Sequence, residues 1–178
     1  TNIIKKAEVE INKIGKENAV LFCVGKKGYE HFHKRHYFVK IHYKDFWMHL
    51  NYNDAMKIGN DIVNSYINNE IHSVNVIYNY FKNVGSQKII FEGLLPMDFK
   101  DDKGISTKQD IIYEPNKTDI VKELVPKYFN TQIWQYLLES FASEQAARML
   151  AMENVTDNAK EMIDDLNLEF NKARQSAI

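Results

Sequence analysis

Residues 139–178 read ESFASEQAARMLAMENVTDNAKEMIDDLNLEFNKARQSAI, and this stretch decides the architecture. The last glycine is Gly104 and the last proline is Pro126, so roughly fifty residues follow without a strong helix breaker. They are rich in Ala, Leu, Met, Glu, Gln and Lys, whose side chains lose little freedom in a helix. At a rise of about 1.5 Å per residue such a helix extends roughly 75 Å, more than a body of this size can cover. The sequence therefore predicts a projecting helix. Leu138, Phe141, Met152, Val155, Ala159, Met162 and Leu166 mostly follow alternating steps of three and four, the stripe that a left-handed coiled coil buries. A second helix is expected against it. Gln145 and Arg148 fall on the seam, and Phe170 and Ala173 continue it only after a shift, which argues against a uniform zipper.

Upstream, residues 2–14 favour a helix weakly. Ala19 to Val24 is a short continuous apolar run ended by Gly25, the pattern of a central strand buried on both faces. A helix over Lys26 to Arg35, a strand over His36 to Tyr43 and a helix near Asn53 to Asn69 come next. Ile71 to Lys82 and Gln87 to Leu95 read as two strands of a hairpin, joined by a turn containing Asn83 and Gly85. Residues 97–110, MDFKDDKGISTKQD, are expected to form a mobile polar loop, and IIYEPNK a short strand or turn. Thr118 and Asp119 suit the start of the long helix, and Pro126 suits a kink in its early turns. The alternation of strands and helices predicts a Rossmann-like α/β body over residues 1–117, with residues 118–178 as the long helix.

The 178 residues carry a formal net charge of −1, so no overall basic field favours nucleic acid or an anionic membrane surface. Cys23 is the only cysteine, which rules out an internal disulfide and fits a buried thiol in a reducing compartment. No run approaches the length of an apolar membrane span, and the first residues lack the apolar core of a secretory signal, so the chain is expected to be soluble by itself.

Val24-Gly25-Lys26-Lys27-Gly28 joins a strand to a helix, where a phosphate can meet free amides. Its spacing matches neither GxxxxGK[ST] nor GxGxxG, and a strand-to-helix turn accounts for the glycines. His31, His33 and His36, with Glu30, offer metal ligands, but positions 31 and 33 point about 200° apart on a helix. Lys26, Lys27, Lys34 and Arg35 with Tyr29 and Phe32 read as a solvated helix face rather than a nucleic-acid contact. Cys23 has no activating base evident in the sequence, GxSxG is absent, and Asp101, Asp102, Asp164 and Asp165 fall in a loop or on a charged helix. No catalytic site, metal or cofactor is expected.

The string SEQAARMLAMENVTDNAKEMIDDLNLEFNKARQSAI resembles the C-terminal helix of the gamma subunit of F-type ATP synthase. Ser143, Glu144, Ala147, Arg148, Met149, Met152, Asn158, Ala159, Asn171, Ala173, Arg174 and Gln175 carry the likeness, which is looser over the body from AVLFCVGKKG to IIYEPNK. The resemblance implies a noncatalytic rotor subunit: a Rossmann-like body near the membrane rotor, and a long helix that enters the alpha–beta catalytic ring as an antiparallel coiled coil with an N-terminal helix. Because the family carries that helix ahead of the point matching Thr1, the sequence reads as a fragment lacking it. The resemblance further implies that Arg174 and Gln175 contact a loop of beta, that Tyr113 and Glu114 in IIYEPNK contact the membrane c-ring, and that the body meets an epsilon-type subunit. Ile111 stands where some relatives have an aromatic residue. A body with few insertions and no cysteine-bearing regulatory segment fits a bacterial protein, peripheral on the cytoplasmic face of the inner membrane, better than a chloroplast or mitochondrial one.

Two other readings come from the residues alone. The strand–GKKG–helix arrangement suggests an independent nucleotide-binding α/β enzyme, and the heptad stripe a general coiled-coil adaptor.

Overall fold

The computed structural model describes residues 2–44, 50–97 and 117–176. The polar loop expected over residues 97–110 and the IIYEPNK segment lie outside the described residues, except for their flanks Met97 and Lys117.

Helix α1 (Asn2–Ile14) leads through Gly15, whose φ of 89° requires a glycine, and a 3-10 turn (Lys16–Asn18) into strand β1 (Leu21–Val24). Helix α2 (Lys26–Lys34) starts at Gly25 (φ 100°) and is followed by β2 (Val39–Tyr43), which pairs parallel with β1. Helix α3 (Tyr52–Ile67) opens on a reciprocal capping box, with Asn51 accepting from the Asp54 amide and the Asp54 carboxylate accepting from the Asn51 amide. Strands β3 (Val74–Asn83) and β4 (Ser86–Leu95) form the expected antiparallel hairpin. Helix α4 (Lys117–Ser176) then runs for 60 residues with Pro126 inside it.

The predicted α/β body with a long C-terminal helix is thus present. Among the described residues four strands make two two-stranded sheets, β1-β2 and β3-β4. The expectation of β1 as a central strand buried on both faces is corrected: among the described residues it pairs on one edge only, and Cys23 alone of its four residues is buried. A continuous apolar run reports the polarity of a strand's surroundings and not how many strands flank it.

The main core lies where α3 and α4 cover the hairpin. Tyr43, Ala55, Ile58, Ile62, Tyr78, Leu94, Phe129, Ile133 and Tyr136 are its buried residues of note. A smaller cluster of Ile11, Ala19, Cys23 and Phe32 joins α1 and α2 to β1. The accessible surface is 13677 Å², about half as much again as the roughly 9,000 Å² expected of a compact monomer of this mass. Half of α4 accounts for much of that excess, since every residue from Ala147 to Ser176 is exposed.

Candidate functional site

Helix α4 changes role along its length. Phe129, Ile133, Tyr136, Leu137, Ser143 and Ala146 are buried against the body at steps near one helical turn. Two polar side chains bind this part to β3. Glu139 Oε2 accepts from the Phe81 amide at 2.8 Å, and Ser143 Oγ donates to the Asn79 carbonyl at 3.2 Å. Ser143 has no exposed surface. Tyr136 packs against Tyr78 with ring centroids 4.6 Å apart and the rings tilted by 37°. Burial raises both phenols above their usual range, and the nearby Glu92 carboxylate raises them further.

The coiled-coil stripe begins within the same turns but on another side. Tyr136 and Ser143 precede Leu138 and Gln145 by two residues, which is about 200° around a helix. The body therefore holds one face of α4 while the stripe points away from it. Leu138 is 43% exposed, and Met152, Val155, Met162, Leu166 and Phe170 are each more than half exposed. Such a row of large apolar side chains at heptad spacing is a surface for another helix. Polar residues interrupt it: Arg148 donates to Glu144 Oε1 at 2.7 Å and to Gln145 Oε1 at 3.2 Å, so the guanidinium is held along its own helix.

Arg174 and Gln175 stand exposed in the last turn of α4, where a cation meets the negative end of the helix dipole. Tyr113 and Glu114 lie outside the described residues.

The other chemistry read from the sequence resolves into packing. His31 Nε2 lies 2.8 Å from Glu8 Oε1, and Arg35 bonds the same imidazole, so these residues pin α2 to α1. The His31 hydrogen bond holds the Glu8 carboxyl below its usual range. His33 packs against Tyr29, and His36 sits at φ 57° after the helix ends. Among the described residues no three His, Cys, Asp or Glu side chains gather as a metal site. Gly25 is explained by its backbone, whereas an added Cβ at Gly28 meets nothing within 4 Å. Among the described residues no helix is long and apolar enough to cross a membrane.

Sequence reasoning missed Glu139 and Ser143 as binders of β3. The signal available was small: a serine and a glutamate on the side of the helix that is otherwise apolar.

The family model described as ATP synthase matches residues 1–178. The ATP synthase gamma chain of Chloroherpeton thalassium is 42% identical over 193 residues, covering all of this chain and 64% of its own length. That of Chlorobium luteolum is 41% identical, with all of this chain and 62% of its own length covered. The chain thus spans a little under two thirds of these relatives. Among solved structures, the Tetrahymena thermophila mitochondrial ATP synthase central stalk and c-ring contains a chain with a TM-score of 0.64 at 25% identity, matching 86% of this chain and 69% of the other. The rotor of the Euglena gracilis mitochondrial enzyme gives 0.59 at 17% identity over 98% and 68%, a likeness of fold. With a family match along its whole length and the relatives above named gamma chains, this chain belongs to the ATP synthase gamma-chain family.

Proposed function

We propose that this chain is the central-stalk rotor part of an ATP synthase, a noncatalytic subunit that couples proton-driven rotation to ATP synthesis or hydrolysis on an alpha–beta ring. The observation that carries the reading is the exposed half of α4, where Arg148, Met152 and Ala159 of the family string stand on a stripe turned away from the body. Paired with a second helix along Leu138 to Leu166, that half becomes a stiff rod. The interruptions at Gln145 and Arg148 and the shift before Phe170 make the rod uneven around its axis. Only unequal contact energies with the conformations of neighbouring subunits can shift nucleotide affinity at a distance, and an uneven rod supplies them as it turns.

In this reading Arg174 and Gln175 form a polar catch on a beta-subunit loop. The guanidinium can hold a carboxylate through two parallel bonds, and the amide can both donate and accept. Tyr113 and Glu114 face the c-ring, and the body meets an epsilon-type subunit. The assembly sits on the cytoplasmic face of a bacterial inner membrane. Residues 1–117 act as the foot and 118–178 as the shaft.

The test is reconstitution of a complete gamma chain carrying this sequence with alpha and beta subunits. Assembly and ATP turnover are expected, with Arg174→Glu lowering turnover or coupling by about tenfold or more, equivalent to about 1.4 kcal/mol of lost contact. Normal turnover with the charge reversed would remove the catch, and failure to associate would remove the rotor reading.

A further inference from the structure

An apolar helix face does not by itself fix where a helix sits. Phe129, Ile133 and Leu137 are buried at four-residue steps along α4, so a slide of one turn brings one large apolar side chain onto the place of another. Directional bonds lift that degeneracy, as a single polar residue does in the seam of a coiled coil. On α4 they come from Glu139 and Ser143, one turn and about 6 Å apart along the axis. Their partners on β3, the Phe81 amide and the Asn79 carbonyl, are two residues and about 6.8 Å apart. The spacings match, and rising numbers on the helix meet falling numbers on the strand. Both partners are main-chain groups of a strand held in the hairpin, where Asn79 pairs with Ile89 and Phe81 with Gln87. They cannot rotate away as side chains can.

The order of the two groups matters as much as their spacing. A carboxylate accepts and does not donate, and so does a carbonyl. Sliding α4 by one turn in one direction sets Glu139 against the Asn79 carbonyl, two acceptors with no proton between them. Sliding it the other way sets Ala147 there, whose methyl donates nothing. Either slip strands the Asn79 carbonyl at a place so enclosed that Ser143 has no exposed surface. Rolling α4 about its axis breaks both bonds together, because residues four apart lie on one side of a helix. Every residue from Ala147 to Ser176 is exposed, so a twist of that half reaches the body only through the turns that Glu139 and Ser143 hold and those before them.

We propose, on the rotor reading above, that Glu139 and Ser143 are the positioning residues of the joint between body and shaft. They form a two-point key that fixes the register and the rotational setting of α4 on β3, and torque passes through it.

Two measurements test this. In the 178-residue chain, Glu139→Ala should speed exchange of the Phe81 amide by at least about tenfold, whereas Glu139→Gln, which keeps a carbonyl acceptor, should stay close to the unsubstituted rate. Transmission is read in a complete gamma chain carrying this sequence, reconstituted with alpha and beta subunits. The ring is fixed to a surface, and a bead is attached to the body through Lys27→Cys at an exposed position of α2. The angular variance of the bead between steps reports how stiffly the body is joined to the shaft. Glu139→Ala and Ser143→Ala should each widen it about twofold or more, as expected for the loss of one directional bond, and Glu139→Gln should restore it. Ser143→Ala carries the comparison where Glu139→Ala fails to fold. Ile11→Val removes a methylene from the smaller core cluster, away from α4, and should leave the variance unchanged despite its cost in stability. Unchanged variance in the alanine variants, or equal widening by Ile11→Val, would overturn the proposal. So would Phe81 exchange that ignores Glu139. A body that does not turn even with the unsubstituted chain removes the rotor reading itself, and the torque role falls with it.

Discussion

Ser143 shows how much one side chain in this helix carries. Its hydroxyl is fully buried and supplies the Asn79 carbonyl with a donor. Ser143→Ala is expected to lower unfolding stability by about 1 kcal/mol, because the carbonyl is left without that partner, with chemical denaturation as the check. Gly59 is a second point of sensitivity. A Cβ there would stand 2.2 Å from Asn130 Oδ1 and 3.4 Å from Ile133 Cδ1, so α3 and α4 pack with no room to spare. Gly59→Leu should cost about 1–3 kcal/mol or more through overpacking, measured the same way. Burial pushes the Cys23 thiol up to about 11 from an ordinary 9.0. At pH 8 the folded chain then holds about a hundredfold less thiolate than an exposed cysteine, so alkylation should be slow until denaturant is added. Alkylation at the same rate with and without denaturant would contradict the burial.

At the scale of elements, α4 is two helices in physical terms. Residues 129–146 are held by the core and by the two bonds to β3, whereas residues 147–176 rest on helix propensity and local ion pairs such as Arg148–Glu144. Amide exchange should therefore be slower by tenfold or more around Ile133 to Ser143 than around Val155 to Leu166, and uniform protection would contradict this. Helix α1 responds to acid. Hydrogen bonds from Lys13 and Lys6 hold the Glu10 carboxyl below 4.5, and the bond from His31 does the same for Glu8. A depressed folded pKa stabilises above the unfolded value and loses that contribution as pH falls through the folded one. The attachment of α1 should thus loosen below about pH 4.5, and Glu8→Gln should flatten that dependence when α1 protection is followed against pH.

At the scale of the molecule, a small body carries a helix of 60 residues. At about 1.5 Å per residue the helix alone is roughly 90 Å long. A compact chain of this length has a radius of gyration of about 16 Å. Small-angle scattering should give a clearly larger radius and a maximum dimension near the helix length. A value close to that of a compact chain would show the exposed half folded back on the body. The excess surface is also where a second helix would act, since the stripe from Met152 to Phe170 is exposed along its length.

The long helix, its stripe, the hairpin and the family motif were legible in the sequence because each rests on local rules. Helical periodicity links residues three and four apart, and breakers act where they stand. The strand-to-helix turn at Gly25 was legible for the same reason, since φ 100° is a property of one residue. Tertiary structure decided which side of α4 the body covers and, among the described residues, that β1 has a partner on one edge only and that a cleft separates the sheets. Those outcomes depend on contacts such as Glu139 with Phe81 and Ser143 with Asn79, 58 and 64 residues apart. No local pattern encodes them, because a strand's side-chain alternation describes its faces and leaves the partners of its two edges to the rest of the chain.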